Sequence, residues 1–111
     1  MDESKELLMK AVSDKLTKKN LARVKQLADD GDDLCLAIYA SLLYRGKLVL
    51  KDQAEAMSIF EKVGEGNDLT AKMFVLTFLD SNAPEAEELF YKIADEVEKE
   101  TGLEIYEHEK A

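Results

Sequence analysis

Two stretches of the sequence decide the fold of this chain: residues 33–45, DLCLAIYASLLYR, and residues 68–80, DLTAKMFVLTFLD. Wound as helices, both stretches are apolar on almost every side, and a helix of that kind is buried by several neighbours. The segments around them carry apolar residues on one helical face only. This alternation predicts a layered stack in which the two apolar helices lie inside and amphipathic helices cover them.

Six segments with helical spacing account for most of the chain, and five Gly with one Pro are too few turn residues for an all-β protein. Gly31, Gly46 and Gly102 follow such segments directly, as helix-ending residues do. Asp52 is placed as an N-cap, and Pro84 suits a first helical turn. The predicted helices are 3–16, 20–30, 33–45, 52–63, 68–80 and 84–100.

These helices are expected to form one all-α domain over residues 1–102. The helices pair as 3–30, 33–63 and 68–100, giving three stacked antiparallel helix pairs. One pair cannot cover its own apolar face, so about three stacked units are needed for stability. A four-helix bundle would instead give every helix a similar single stripe. Residues 103–111 are predicted to be an acidic C-terminal tail.

An internal repeat with an offset of 35 residues relates the first half of the chain to the second. It pairs Val24 with Ile59, Ala28 with Val63, Gly31 with Gly66, Asp33 with Asp68 and Leu34 with Leu69.

Residues 31–66 resemble a Sel-one-like repeat, a relative of the tetratricopeptide repeat. In that pattern, small residues of the first helix are matched by Cys35 and Ala40. The loop and the second helix are matched by Gly46, Val49, Asp52, Ala56 and Phe60, and Gly66 closes the unit. Leu48 stands where a second loop glycine is usual. The resemblance implies a short solenoid of the scaffold or adaptor type, which binds proteins along a curved surface and carries no catalytic residues of its own.

The net charge of −9 is spread unevenly along the chain. Residues 81–111 hold three Lys/Arg against ten Asp/Glu, whereas residues 1–31 hold seven against six. An acidic chain is a poor nucleic-acid binder because phosphate neutralisation drives that binding, so no direct contact with nucleic acid is expected. A local basic cluster nevertheless lies near the start: Lys15, Lys18, Lys19, Arg23 and Lys25.

Nothing in the sequence predicts a membrane or an oxidising environment. No apolar run approaches the roughly 18 residues that span a bilayer, and the acidic start MDESKELLMK lacks the layout of a secretory signal. The single Cys35 cannot form an internal disulfide. The expected location is the cytoplasm.

Residues for catalysis or metal binding are scarce. His108 stands in the acidic tail rather than in a packed segment, and no nucleophile motif accompanies it. Cys35 is expected to be a buried small residue rather than a reactive thiol. One Cys and one His cannot supply a tetrahedral zinc site, so neither a metal nor a cofactor is expected. The chain is accordingly predicted not to be an enzyme.

Four residues are candidates for contact with a partner. Tyr44 and Arg45 end an inner helix, where a concave surface would expose them, and Tyr and Arg are common in binding hot spots. Tyr91 lies beside, not on, the apolar stripe of the last helix, and Tyr106 lies in the tail.

The leading hypothesis for function is a non-catalytic interaction module that binds another protein on the surface of the first, third and fifth helices. The alternative is an acidic inhibitor or immunity-type protein that blocks a basic enzyme or a nucleic-acid-binding surface. Self-association is a further hypothesis, because three pairs without an obvious polar cap expose an apolar flank.

Overall fold

The computed structural model describes residues 2–107, and within this range the chain forms six α-helices and no strand. They are α1 (Glu3–Val12), α2 (Lys18–Asp29), α3 (Asp33–Arg45), α4 (Gln53–Gly64), α5 (Leu69–Asn82) and α6 (Glu87–Thr101). The predicted all-α class is confirmed. In the same range, none of the helices combines the length with the apolar character that crossing a bilayer requires.

Side-chain caps fix where most of the helices begin. At each of these starts, a carboxylate or hydroxyl oxygen accepts a hydrogen bond from a backbone N–H of the first turn, which would otherwise be unsatisfied. The capping residues are Asp2, Thr17, Asp32, Asp52 and Asp68. Asp52 thus has its predicted role. Because Asp32 and Asp68 are the caps of α3 and α5, the structural equivalent of Asp68 is Asp32 and not its sequence partner Asp33.

The first helix is shorter than predicted. It was expected to reach residue 16, but Asp14 adopts the left-handed conformation, with φ of 59°, and ends it. The N–H of Lys15 donates to the carbonyl of Lys10 at 2.8 Å, and that of Asp14 to the carbonyl of Ala11 at 3.2 Å. This is a Schellman ending, in which Gly is the usual left-handed residue. Leu16 follows in the connection and is buried in the core.

The turn between α5 and α6 also differs from prediction. α5 continues to Asn82, whose side-chain amide donates to the carbonyl of Phe78 at 3.2 Å. The expectation that Pro84 occupies the first turn of the last helix is wrong. Pro84 lies in a separate turn closed by the N–H of Ala86 and the carbonyl of Ala83, at 2.9 Å, and α6 starts after it.

Helix α3 lies at the centre of the fold. It packs against α1, α2, α4 and α5, while α5 packs against α3, α4 and α6. Cys35 and Ile38 of α3 have no exposed surface. The predicted enclosure is therefore right for α3 but only partly right for α5, where Leu69 and Met73 remain exposed. These contacts are consistent with stacked helix pairs in which α1 and α5 flank α3.

Aromatic side chains join three of the helices in the core. The ring of Phe78 in α5 lies 5.5 Å from that of Phe60 in α4 and 5.8 Å from that of Tyr44 in α3. Phe74, one turn earlier, lies 6.3 Å from Phe78. Such ring pairs stabilise by about 0.5–1.5 kcal/mol beyond the burial of their area. Phe78 therefore anchors α5 to α3 and α4.

The connection after α3 requires unusual backbone conformations. Gly46 and Leu48 both have positive φ, of 69° and 66°. A Cβ atom at Gly46 would lie 2.8 Å from the Cβ of Lys51, so the chain can fold back here only without a side chain. Leu48 thus adopts the left-handed conformation that glycine adopts most easily.

Gly46→Ala should destabilise the fold more than Gly102→Ala. Both glycines end a helix in the left-handed conformation, but a Cβ atom at Gly102 meets nothing within 4 Å. The two variants therefore share a backbone cost of about 1–2 kcal/mol, and Gly46→Ala adds an overpacking cost of about 1–3 kcal/mol. Urea unfolding monitored by circular dichroism measures both free energies. Equal losses would contradict the close approach at Lys51.

Candidate partner-binding groove

The C-terminal ends of α1, α3 and α5 line a groove of about 210 Å³. Its floor is apolar and includes Leu42 of α3 with Phe74 and Phe78 of α5, and Val12 of α1 forms one exposed edge. Pockets for drug-sized ligands measure about 300–1,000 Å³, whereas a cavity of about 150 Å³ holds a benzene molecule. The groove therefore has the size for one large apolar side chain rather than for a cofactor.

The rim of the groove is charged. Its charged members are Asp14, Arg45 and Lys47. The ammonium of Lys47 pairs with the carboxylate of Asp14, and the guanidinium of Arg45 lies 3.9 Å from the same carboxylate oxygen. The Asp14 side chain is 61% exposed, so water screens both pairs and they add little stability. Two cations thus share one carboxylate beside an apolar floor.

Tyr44 does not belong to this surface, and the expectation that it is exposed is wrong. Only 7% of Tyr44 is accessible, because its ring packs edge-on against Phe78. Its hydroxyl donates a hydrogen bond to Glu85 in the connection before α6. That bond raises the pKa of Tyr44 and lowers the pKa of Glu85. Tyr44 therefore joins α3 to the connection before α6. The neighbouring Arg45 lies on the rim of the groove, where a partner could contact it.

Tyr91 of α6 and Tyr106, which follows that helix, lie together outside the groove. Their ring centroids are 4.7 Å apart, and Tyr91 is 43% exposed. The Tyr106 hydroxyl donates to Asp95 at 2.6 Å, and the N–H of Ile105 donates to Glu98 at 2.7 Å. Residues 105 and 106 of the predicted tail are therefore held against α6.

The candidate nucleophiles are buried. Cys35 has no exposed surface, and burial raises the pKa of its thiol to about 11, so it is protonated at neutral pH. Its predicted burial is confirmed. The buried Ser4 hydroxyl donates to Asp32, which is already the cap of α3. His108 lies outside the described residues. Within residues 2–107, no group of three or more metal-binding side chains is arranged to hold an ion.

A second cavity, of about 340 Å³, lies between the end of α4, the start of α5 and α6. It borders Lys72, which is 2% exposed although it stands in one of the two most apolar stretches of the chain. The Lys72 ammonium meets the Glu100 carboxylate at 2.6 Å and thereby ties α5 to the end of α6. Breaking such a pair on one side leaves a buried charge, so we interpret it as structural.

Arg45 is the rim residue that the sequence predicts to face a partner, and the other two, Asp14 and Lys47, are not predicted. The predicted first helix, 3–16, includes Asp14. Lys47 follows the helix-ending Gly46 and belongs to no motif of its own. The two residues are 33 positions apart, and a pairing at that distance leaves no periodic signal. Phe74, which lines the α5 side of the groove beside Thr77, is predicted to lie in the core but is only partly buried. The available signal was Gly46, because a left-handed helix end brings the next residues back beside the helix.

Comparisons with protein-family models, curated proteins and solved structures gave no match to this chain.

Asp14→Ala should be less stable than Asp14→Gly by about 1 kcal/mol. Both changes remove the carboxylate, but alanine retains the cost of the left-handed conformation whereas glycine does not. Asp14→Asn should be close to Asp14→Gly, because Asn tolerates this region. Urea unfolding compares the three variants. If the alanine variant is as stable as the glycine variant, Asp14 does not hold a strained backbone at the groove.

Tyr106 should titrate late because of its bond to Asp95. That bond, with burial and the nearby carboxylates, raises its pKa from 10.0 to about 12. A raised pKa means that this contact stabilises the folded chain below about pH 10, and that the contribution is lost as the pH rises through 12. The phenolate difference spectrum between the wild type and Tyr106→Phe isolates this residue. Asp95→Asn should lower its midpoint, and an unchanged midpoint would contradict the contact.

Proposed function

We propose that this chain is a non-catalytic interaction module, and that the groove at the ends of α1, α3 and α5 receives a segment of another protein. The observation that carries the proposal is an apolar floor, sized for one side chain, beside a charged rim. Interfaces of this kind obtain most of their affinity from a few anchors seated in such sites. The module would act in the cytoplasm as an adaptor or scaffold.

Two further points support recognition rather than catalysis. The buried Cys35 thiol and Ser4 hydroxyl are packed and hydrogen-bonded, so neither is placed to attack a substrate. The resemblance of residues 31–66 to Sel-one-like repeats points the same way, because proteins of that kind are scaffolds.

The second candidate function is an acidic inhibitor or immunity-type protein. It is favoured by the stacked pair Tyr91 and Tyr106 beside the carboxylates Asp95 and Glu98. Aromatic faces next to carboxylates suit a partner that presents arginine, since arginine both stacks and forms bidentate bonds. The two candidates use different surfaces, so they can be separated by variants.

Thr77→Arg should abolish partner binding without unfolding the chain. Thr77 is exposed in the groove wall, and its hydroxyl donates to the Met73 carbonyl of its own helix at 3.0 Å. An arginine there would fill the groove and break no contact between helices. Ser58→Arg is the matched control, because Ser58 is exposed on α4, away from the groove.

The measurement is quantitative mass spectrometry of proteins captured from native lysate by the wild type, Thr77→Arg, Ser58→Arg and Tyr91→Ala. A partner lost with Thr77→Arg and kept with the other two supports the groove. A partner lost with Tyr91→Ala alone supports the inhibitor, and capture that is equal for all four chains contradicts both. Circular dichroism confirms that each variant is folded.

A further inference from the structure

We propose that the groove selects an acidic segment, one in which a leucine-sized or aromatic side chain is flanked by carboxylates; this inference rests on the function proposed above. The apolar side chain would occupy the floor over Phe74 and Phe78. The flanking carboxylates would meet Arg45 and Lys47 on the rim. The partner is thus defined by its chemistry, an acidic and apolar protein segment.

The charge around the groove favours an acidic occupant. The connection after α1 and the connection after α3 both border it. Residues 10–19 hold four Lys against one Asp, and residues 45–52 hold three Lys/Arg against one Asp. These two short stretches thus contain seven of the 15 basic residues of a chain whose net charge is −9. A positive region on an otherwise acidic protein attracts acidic segments and repels basic ones.

The acidic residues at the same end of the helices face elsewhere. Glu85 and Glu88 line a depression between α4 and α6, and Glu87 lines another beside Pro84 and Tyr91. The groove wall contributed by α5 is uncharged, and it includes Thr77 and Ser81. Asp14 is therefore the one carboxylate among the groove-lining residues of the described chain. Two cations, Arg45 and Lys47, therefore face one carboxylate at the groove itself.

Arg45 also offers unused hydrogen-bond donors to a partner. Its guanidinium makes no hydrogen bond with residues 2–107, and the nearest carboxylate oxygen, on Asp14, is 3.9 Å away. A guanidinium has five donors arranged as a fork that matches a carboxylate. Asp14 already shows that a carboxylate can stand between Arg45 and Lys47. A partner carboxylate at hydrogen-bond distance would use donors that Asp14 leaves unused.

Nucleic acid and a second copy of this chain are the rival occupants. A nucleic acid would have to approach a protein of net charge −9, which opposes binding beyond the immediate patch. A second copy would have to offer its acidic last third, residues 81–111. In the described part of that region, the large apolar side chains that are exposed, Tyr91 and Leu103, lie on or just after α6. Residues 105 and 106 of that region are bonded to Glu98 and Asp95 of their own α6, so a second copy would have to break those bonds to offer this stretch, whereas a segment of another protein would not.

The test is selection from a phage-displayed library of random peptides on the immobilised full chain. Selected peptides should be enriched in Asp and Glu next to Leu, Phe or Tyr. A dye-labelled synthetic copy of the most enriched peptide should bind at least about tenfold more weakly to the double variant Arg45→Glu/Lys47→Glu, and more weakly as salt increases. Asp14→Asn should bind it several-fold more tightly, because it removes the competing carboxylate.

The matched control is Lys62→Glu/Lys99→Glu, which makes the same change of net charge at two exposed residues outside the groove. It should bind like the wild type. Equal weakening in both double variants would overturn the proposal, since only the overall charge would then matter. The proposal would also be overturned by recovery of no peptide, or by tighter binding of a single-stranded oligonucleotide than of any peptide. Displacement of the peptide by unlabelled Arg45→Glu/Lys47→Glu chain, which keeps the acidic last third, would overturn it as well, because a second copy would then occupy the groove.

Failure of this inference can be told apart from failure of the proposed function. In one outcome, the selected peptides are apolar and lack acidic residues, and their binding is blocked by Thr77→Arg but unchanged by Arg45→Glu/Lys47→Glu. That result would keep the groove as the binding site and refute its selectivity for acidic segments. Peptides or partners that are indifferent to Thr77→Arg would refute the groove itself.

Discussion

Enclosure of α3 is the constraint on which the rest of the structure depends. Its residues are too apolar to face water on any side, and α1, α2, α4 and α5 together cover it. Burying a large aliphatic side chain stabilises by about 1.5–3 kcal/mol, so a helix such as α3 contributes much of the driving force of a small domain. Each of these four neighbours packs against α3, which is consistent with helix pairs stacked around it.

The groove is a consequence of that arrangement. α1 and α5 flank α3, and α1 stops early because Asp14 adopts a left-handed conformation. The space above Leu42 and Phe78 is then left open, and the last turn of α3 delivers Arg45 to its rim. Lys47 reaches the same rim because Gly46 turns the chain back beside the helix. Backbone strain, an apolar floor and a small charge cluster thus occur at one place, as is usual where a fold carries function.

The surface charge of this protein has two separate roles. The acidic last third holds the end of the chain through specific bonds, such as that between Tyr106 and Asp95, while it gives most of the net charge. Two basic residues, Arg45 and Lys47, line the groove, and five more lie in the neighbouring segments 10–19 and 45–52. A net charge alone would describe this molecule as uniformly acidic. The distribution instead places Arg45 and Lys47 at the groove and most of the negative charge in the last third of the chain.

The sequence by itself determined the helices, their order and the burial of α3, because these follow from local periodicity, caps and glycines. It also determined that Cys35 would be packed, and that Arg45 would stand at the end of an inner helix. Only the tertiary structure decided that Tyr44 is buried against Phe78 and Glu85, that Leu16 folds into the core, and that Asp14 and Lys47 meet. Those contacts join residues that are tens of positions apart or lie beyond helix ends, where periodicity carries no information and the packing of neighbouring helices sets the position of each side chain.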